Sequence, residues 1–227
     1  MTCAFDVRYR QRLPQTEVAP DSYTIETVFA TDDVQERRWN NMKLHHPVLC
    51  GQWMSGTLEA RRRVGIEILD ILGDATETAD LFRFDFRQRN LSHWSVYLRG
   101  PKGTPYDCGW FAAGIDLPDD YPYRPPKFKI LTKILHPNVS AESGEVCINI
   151  LLSEHWSALC RISKVVLSVV ALLGAPEPRD PMNLEAATRQ LRQPELFAEK
   201  ARLWTQTYAL PEPPSFRDLG IGTLSSL

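Results

Sequence analysis

The sequence has no apolar run approaching the roughly 18 residues needed to cross a bilayer, and its first residues lack the apolar stretch of a secretory signal. Both absences point to the cytosol or nucleus and to partners other than a membrane. Net charge is small: a formal −2 at pH 7 argues against a nucleic-acid binder working by bulk electrostatics. There is no CxxC pair. The five cysteines, Cys3, Cys50, Cys108, Cys147 and Cys160, are odd in number and widely spaced, so free thiols are expected in a reducing compartment, not a disulfide framework. Cys50, His45 and His46 lack a spaced fourth ligand, so no metal is expected. No internal repeat is visible. What is there, 227 residues of which 43% are hydrophobic and 24% charged, suits one soluble domain with a real core plus extensions.

Residues 1–56 keep no sustained period of 2 or 3.6 and mix charges, prolines and scattered aromatics. They read as a partly disordered N-terminal extension, within which Tyr23–Ala30 is compatible with a strand. From residue 57 the pattern sharpens. Ala60, Val64, Ile68, Ile71 and Leu72 fall at helical spacing between Thr57 as N-cap and Gly73 as stop. Phe82, Phe84 and Phe86 alternate with Arg83, Asp85 and Arg87, the period of a half-buried strand. Trp94, Val96 and Leu98 repeat that alternation, and Trp110–Leu117 and Lys127–Thr132 add two more strands, all joined by short turns. Ile162–Leu173 is apolar nearly all round, as a helix packed on several sides must be. Leu184–Leu191 and Glu195–Tyr208, the latter opened by Pro194, are further helices. The layout is α+β, with a domain over 57–210 and a short tail over 211–227.

Between the last strand and the buried helix lies an irregular segment of roughly 30 residues, a length at which such segments are often functional. It holds His136-Pro137-Asn138, then Gly144 through Cys147 to Leu151, then Trp156. A cysteine there, with an amide side chain on either side in sequence, has two readings. It is a nucleophile with an oxyanion donor, or a buried packing thiol.

From about residue 58 to 209 the chain resembles the catalytic domain of ubiquitin-conjugating enzymes. The matching residues run in family order: Gly100-Pro101, Thr104-Pro105-Tyr106 and Gly109, then Tyr121-Pro122-Tyr123-Arg124-Pro125-Pro126-Lys127. His136-Pro137-Asn138-Val139, Gly144, Cys147-Ile148-Asn149-Ile150-Leu151, Trp156-Ser157, Ile162-Ser163-Lys164, Pro176, Pro178, Asp180 and Pro181 complete it. The resemblance implies an N-terminal helix, a four-stranded antiparallel meander, an active-site segment, and C-terminal helices packed on the sheet. It implies that Cys147 takes ubiquitin from an activating enzyme as a thioester and passes it to a lysine or to a ligase cysteine, with no cofactor or metal. His136 and Pro137 match the structural part of the family motif. Asn138 matches the asparagine that supports the oxyanion of the tetrahedral intermediate or holds the active-site loop. Asp180 matches the acidic gate that orients the incoming amine. A cysteine hydrolase is disfavoured, because a base poised beside the thiol would hydrolyse the ester it carries.

Partners follow from the same resemblance: the modifier, the activating enzyme, ubiquitin ligases and substrate proteins, but neither nucleic acid nor membrane. Arg62 and Arg63 match the basic helix that meets the activating enzyme, and Tyr123 with Ser157 and Ala158 match ligase-facing positions. The family's usual Pro-Ala after Trp-Ser reads Ala158-Leu159-Cys160 here, so its rigid proline is gone. Glu177 replaces an asparagine and is a further polar candidate at the gate. Asn149, in place of the usual aspartate, also occurs in conjugating enzymes for the related modifier that activates cullins. That modifier is therefore one alternative. An inactive ubiquitin-binding scaffold of the same fold is the other.

Overall fold

A computed structural model describes residues 58–85 and 90–215, the side chains of residues 58 and 59 excepted. The extension 1–56 with Tyr23–Ala30, the Thr57 cap, Phe86 and Arg87, the set Cys50, His45 and His46, and the tail from Phe216 onward lie outside the described residues. Helix α1 (Leu58–Gly73) forms where the apolar positions recur, and buries Ala60, Val64, Ile68 and Ile71. A single-turn helix α2 (Ala75–Thr78), which the sequence pattern did not announce, follows it.

Strands β1 (Phe82–Asp85), β2 (His93–Arg99), β3 (Trp110–Asp116) and β4 (Lys127–Ile130) form one antiparallel sheet in sequence order. Register places Phe84 opposite Val96, Val96 opposite Ala113, Leu98 opposite Phe111 and Ile115 opposite Phe128. Because side chains alternate along a strand, this pairing gathers the apolar set on one face. Helix α3 (Ile162–Gly174) covers that face with Val165, Val166, Val169 and Leu173, all buried. Truncating Phe111 or Leu98 to alanine at this interface would cost about 3–5 kcal/mol. Helix α3 is packed on several sides, as its composition implied, but not on every side. Lys164, Leu167 and Ala171 form an exposed stripe, with Leu167 39% exposed, because the sheet and α1 cover only the opposite faces.

Helix α4 (Leu184–Arg192) is capped by Asn183, whose Oδ1 accepts the Ala186 N–H at 3.0 Å. Helix α5 (Pro194–Tyr208) opens on a proline that needs no hydrogen-bond partner there, and packs against α4. On the sheet's other face Tyr97 and Trp110 form a small second cluster with Leu210. Trp110 and Leu210 exchange backbone hydrogen bonds at 2.9 and 3.0 Å, and Arg83 donates to the Pro214 carbonyl at 3.2 Å. The start of the tail thus returns to the sheet.

Candidate active site

The segment after β4 is irregular in dihedrals but closely tied. Residues 139–146 fold back on themselves, Val139 bridging Val146 and Lys129 of β4 bridging Glu145. The reversal depends on Gly144, which has φ of 72° and whose N–H and carbonyl bond Ser140 and Ile130. A Cβ there would sit 2.2 Å from the Ile130 carbonyl oxygen, so no other residue fits. The fold-back delivers Cys147 beside the His136–Asn138 turn, where the Cys147 N–H donates to the Asn138 carbonyl at 3.1 Å. A single 3₁₀ turn, Asn149–Leu151, then carries the chain away.

The Cys147 thiol is free and half-buried. Burial pushes its pKa up, and the negative charge of Asp180 pushes it further the same way. Among the described residues no histidine is hydrogen-bonded to it. The His136 ring is fully buried: its Nδ1 accepts the Asn138 N–H at 3.0 Å, which leaves Nε2 to carry the proton and donate to the Leu172 carbonyl at 3.2 Å. Burial, opposed by that carbonyl, lowers the imidazole pKa to about 4, so the ring stays neutral with both nitrogens occupied. His136 therefore orders the turn and takes no proton from the thiol.

Asn138, 3% exposed, is engaged at every polar side-chain atom. Its Nδ2 donates to the carbonyls of Glu177 at 2.8 Å and Asp180 at 3.0 Å, and its Oδ1 accepts the Glu177 N–H at 2.9 Å. Both amide hydrogens point into the 177–180 loop, the arrangement that holds a loop; a direct oxyanion contact requires one of them to be released. The Pro137 carbonyl adds to the tie, accepting from the N–H groups of Met182 and Asn183 at 2.9 and 2.8 Å. Asp180 is exposed on this held loop, close enough to Cys147 to act on its charge, and Glu177, also exposed, accepts the Arg179 N–H at 3.2 Å. Cys147, Asn138 and Asp180 are thus one cluster, with His136 and Pro137 beneath it.

Away from the thiol the sequence expectations divide. Arg62 is exposed. Arg63 is turned inward: its Nε donates to Glu67 at 2.6 Å and its Nη2 to the Cys160 carbonyl at 3.0 Å, so its guanidinium is already held inside the chain. Tyr123 is 68% exposed and Leu159 85% exposed, with Ser157 exposed and Ala158 half-buried. Sequence reading missed Glu67, a carboxylate 2% exposed. Its one signal was a charge set between Ile66 and Ile68, four residues after Arg63. Cys160 keeps its free thiol, whereas Cys108 is disulfide-bonded, contrary to the free-thiol expectation. Among the described residues no group of three or more potential metal ligands occurs, and no helix is long and apolar enough to cross a membrane.

Comparison with known proteins is consistent with this geometry. A family model described as ubiquitin-conjugating enzyme matches residues 70–205. The chain is 37% identical over 148 residues to ubiquitin-conjugating enzyme E2 1 of Schizosaccharomyces pombe, covering 65% of this chain and 66% of that protein, just under two thirds of its length. It is 35% identical over 150 residues to human ubiquitin-conjugating enzyme E2 K, covering 66% and 74%. The E2 domain of a Toxoplasma gondii ubiquitin conjugating enzyme superposes with a TM-score of 0.58 at 38% identity, over 64% of this chain and 99% of that one.

Proposed function

The chain belongs to the ubiquitin-conjugating enzyme family, and from that premise we propose that it carries ubiquitin as a thioester on Cys147 and transfers it onward. In loading, the Cys147 thiolate attacks the thioester carbonyl that joins the ubiquitin C-terminus to an activating enzyme, and the activating enzyme's thiolate leaves. In discharge, a substrate lysine amine or a ligase thiolate attacks the new thioester, and Cys147 leaves as thiolate. An attacking amine loses its proton, and in this reading the Asp180 carboxylate accepts it. No further oxidant, metal or nucleotide is needed, because the energy resides in the incoming thioester.

The observation that carries the reading is a half-buried thiol that no histidine among the described residues bonds. In a hydrolase the neighbouring histidine bonds the nucleophile; here it is sealed in the core with both nitrogens in use. A carrier must outlive the wait for its acceptor, and an imidazole so occupied does not activate water. Asn138 acts in this reading by holding the 177–180 loop over the thioester. Exposed Tyr123 and Leu159 supply a ligase-facing surface, and Arg62 a contact for the activating enzyme.

The test is charging in vitro with activating enzyme, ATP and one modifier at a time, resolved with and without reductant. The expected product is a reductant-sensitive adduct with ubiquitin that is absent in Cys147→Ala. An adduct only with the cullin-activating modifier reassigns the cargo. No adduct with any modifier overturns the reading in favour of an inactive scaffold.

A further inference from the structure

Glu67 is a charge that nothing in the reaction above uses. It sits on α1 and its carboxylate holds three groups, one on α1 and two on other segments. Oε1 accepts from Arg63 Nε at 2.6 Å and from the Tyr121 hydroxyl at 2.5 Å. Oε2 accepts the backbone N–H of Ile162 at 2.7 Å. Ile162 is the first residue of α3, and the residue before it, Arg161, offers that helix no side-chain cap. Glu67 therefore caps α3 from a different helix, placing negative charge where the helix has unpartnered N–H groups and the positive end of its dipole. Burial, then the neighbouring carboxylate, push the Tyr121 phenol up, so it remains a donor.

Around this carboxylate the two loops of the proposed ligase face are drawn together. Tyr121 anchors the loop that exposes Tyr123. Arg63, itself held by Glu67, takes the Cys160 carbonyl at the end of the loop that exposes Leu159. Arg161 pairs with Asp70 of α1. The Trp156 indole N–H closes the circuit by donating to the Pro122 carbonyl at 2.7 Å. The 157–160 loop contains no proline to stiffen it; its ends are fixed by these polar ties instead.

We propose that Glu67 is a positioning residue for ligase docking: its buried carboxylate fixes the Tyr123 and Leu159 loops in one arrangement, with Arg63 and Tyr121 as the arms. The proposal rests on the reading that this face meets ligases, and its experiment separates the two. Amide hydrogen exchange on the intact uncharged chain is compared for wild type, Glu67→Gln and Tyr121→Phe. Glu67→Gln is expected to lose roughly tenfold in protection at 120–123 and 156–162, as loss of charge-assisted bonds predicts, with 138–147 unchanged. Tyr121→Phe is expected to loosen 120–123 only. Unchanged exchange in both loops, or loss spread evenly over the chain, overturns the proposal.

The functional arm uses a RING-type ligase domain that accelerates discharge of the charged wild type to free lysine. Glu67→Gln is expected to raise the ligase concentration for half-maximal stimulation by about fivefold to tenfold, leaving the maximal rate and the ligase-free rate within about twofold. An unchanged half-maximal concentration with loosened loops overturns the docking role. A wild type that never forms a thioester counts against the carrier reading, and the exchange data then decide the positioning claim alone.

Discussion

Around Cys147 the chain is held by a neutral amide, Asn138; around Tyr123 and Leu159 it is held by a carboxylate, Glu67. Both side chains are nearly fully buried, 3% and 2% exposed, and each joins segments far apart in sequence. Asn138 bonds only backbone groups of one loop, accepting once and donating twice. Glu67 bonds a guanidinium, a phenol and a helix terminus, and only accepts. The contrast follows from what each place must tolerate. A fixed negative charge beside the thiol would oppose formation of the thiolate, and Asp180 already does so from an exposed position. Beneath the proposed docking face no such reaction occurs, and a charge compensated by Arg63 gives stronger bonds than an amide.

The comparison is broken most severely by deleting the carboxylate. Glu67→Ala leaves the Tyr121 hydroxyl, the Ile162 N–H and Arg63 without their acceptor, and is expected to lower unfolding free energy by about 3–5 kcal/mol. Urea denaturation checks this; a loss under about 1 kcal/mol, typical of surface pairs, would place Glu67 among those.

The neutral side of the comparison has its own pH signature through His136. Its pKa is lowered to about 4 in the folded chain, against about 6.5 unfolded. Above pH 6.5 both states are neutral and the stability is complete. As pH falls through that value the unfolded chain gains a proton the folded chain refuses, and stability drops by about 3 kcal/mol by pH 4. Stability measured from pH 7 to 4 should show this slope, flattened in His136→Gln; parallel slopes would mean that His136 is not the group responsible.

Asn138 is expected to matter more for discharge than for loading. Asn138→Ala should still form the thioester but pass it to lysine about a hundredfold more slowly, and should cost about 2–3 kcal/mol of stability for three lost hydrogen bonds. Asn138→Asp sharpens the point. It keeps the Oδ1 acceptor but turns a carboxylate oxygen toward two carbonyls, so it should be no better than alanine. Slow discharge with unchanged stability in both variants would instead favour a direct oxyanion contact over the loop-holding role.

The smallest expected effect is at Asp180. Asn138 holds its backbone carbonyl, so Asp180→Asn should leave the loop in place and remove only the charge. The alkylation rate of Cys147 should then rise at lower pH than in wild type. It should remain above an ordinary cysteine's range, because burial is the larger cause of the elevated thiol pKa. Coincident pH profiles would show that Asp180 does not act on the thiol.

Much of this was legible before any coordinates. Alternation at Trp94, Val96 and Leu98 and the helical spacing from Ala60 to Ile71 depend on local periods that the side chains carry themselves. The strands, four of the helices and their order followed, and the run from His136 to Asp180 singled out Cys147. What periodicity left open was which side of α3 stays exposed, since its apolar circumference gave no sign that Leu167 would face outward. The partners of Asn138 were also beyond reach, lying 39 and 42 residues away.

By itself, then, the sequence determined the α+β layout and the family and nominated Cys147, because each rests on residue types in a fixed order along the chain. Only the tertiary structure decided that His136 cannot act as a base, that Arg63 faces inward, and that Glu67 joins α1 to the start of α3. Those outcomes depend on burial and on bonds between segments up to 97 residues apart, where the energy of a polar group is set by what folding brings beside it.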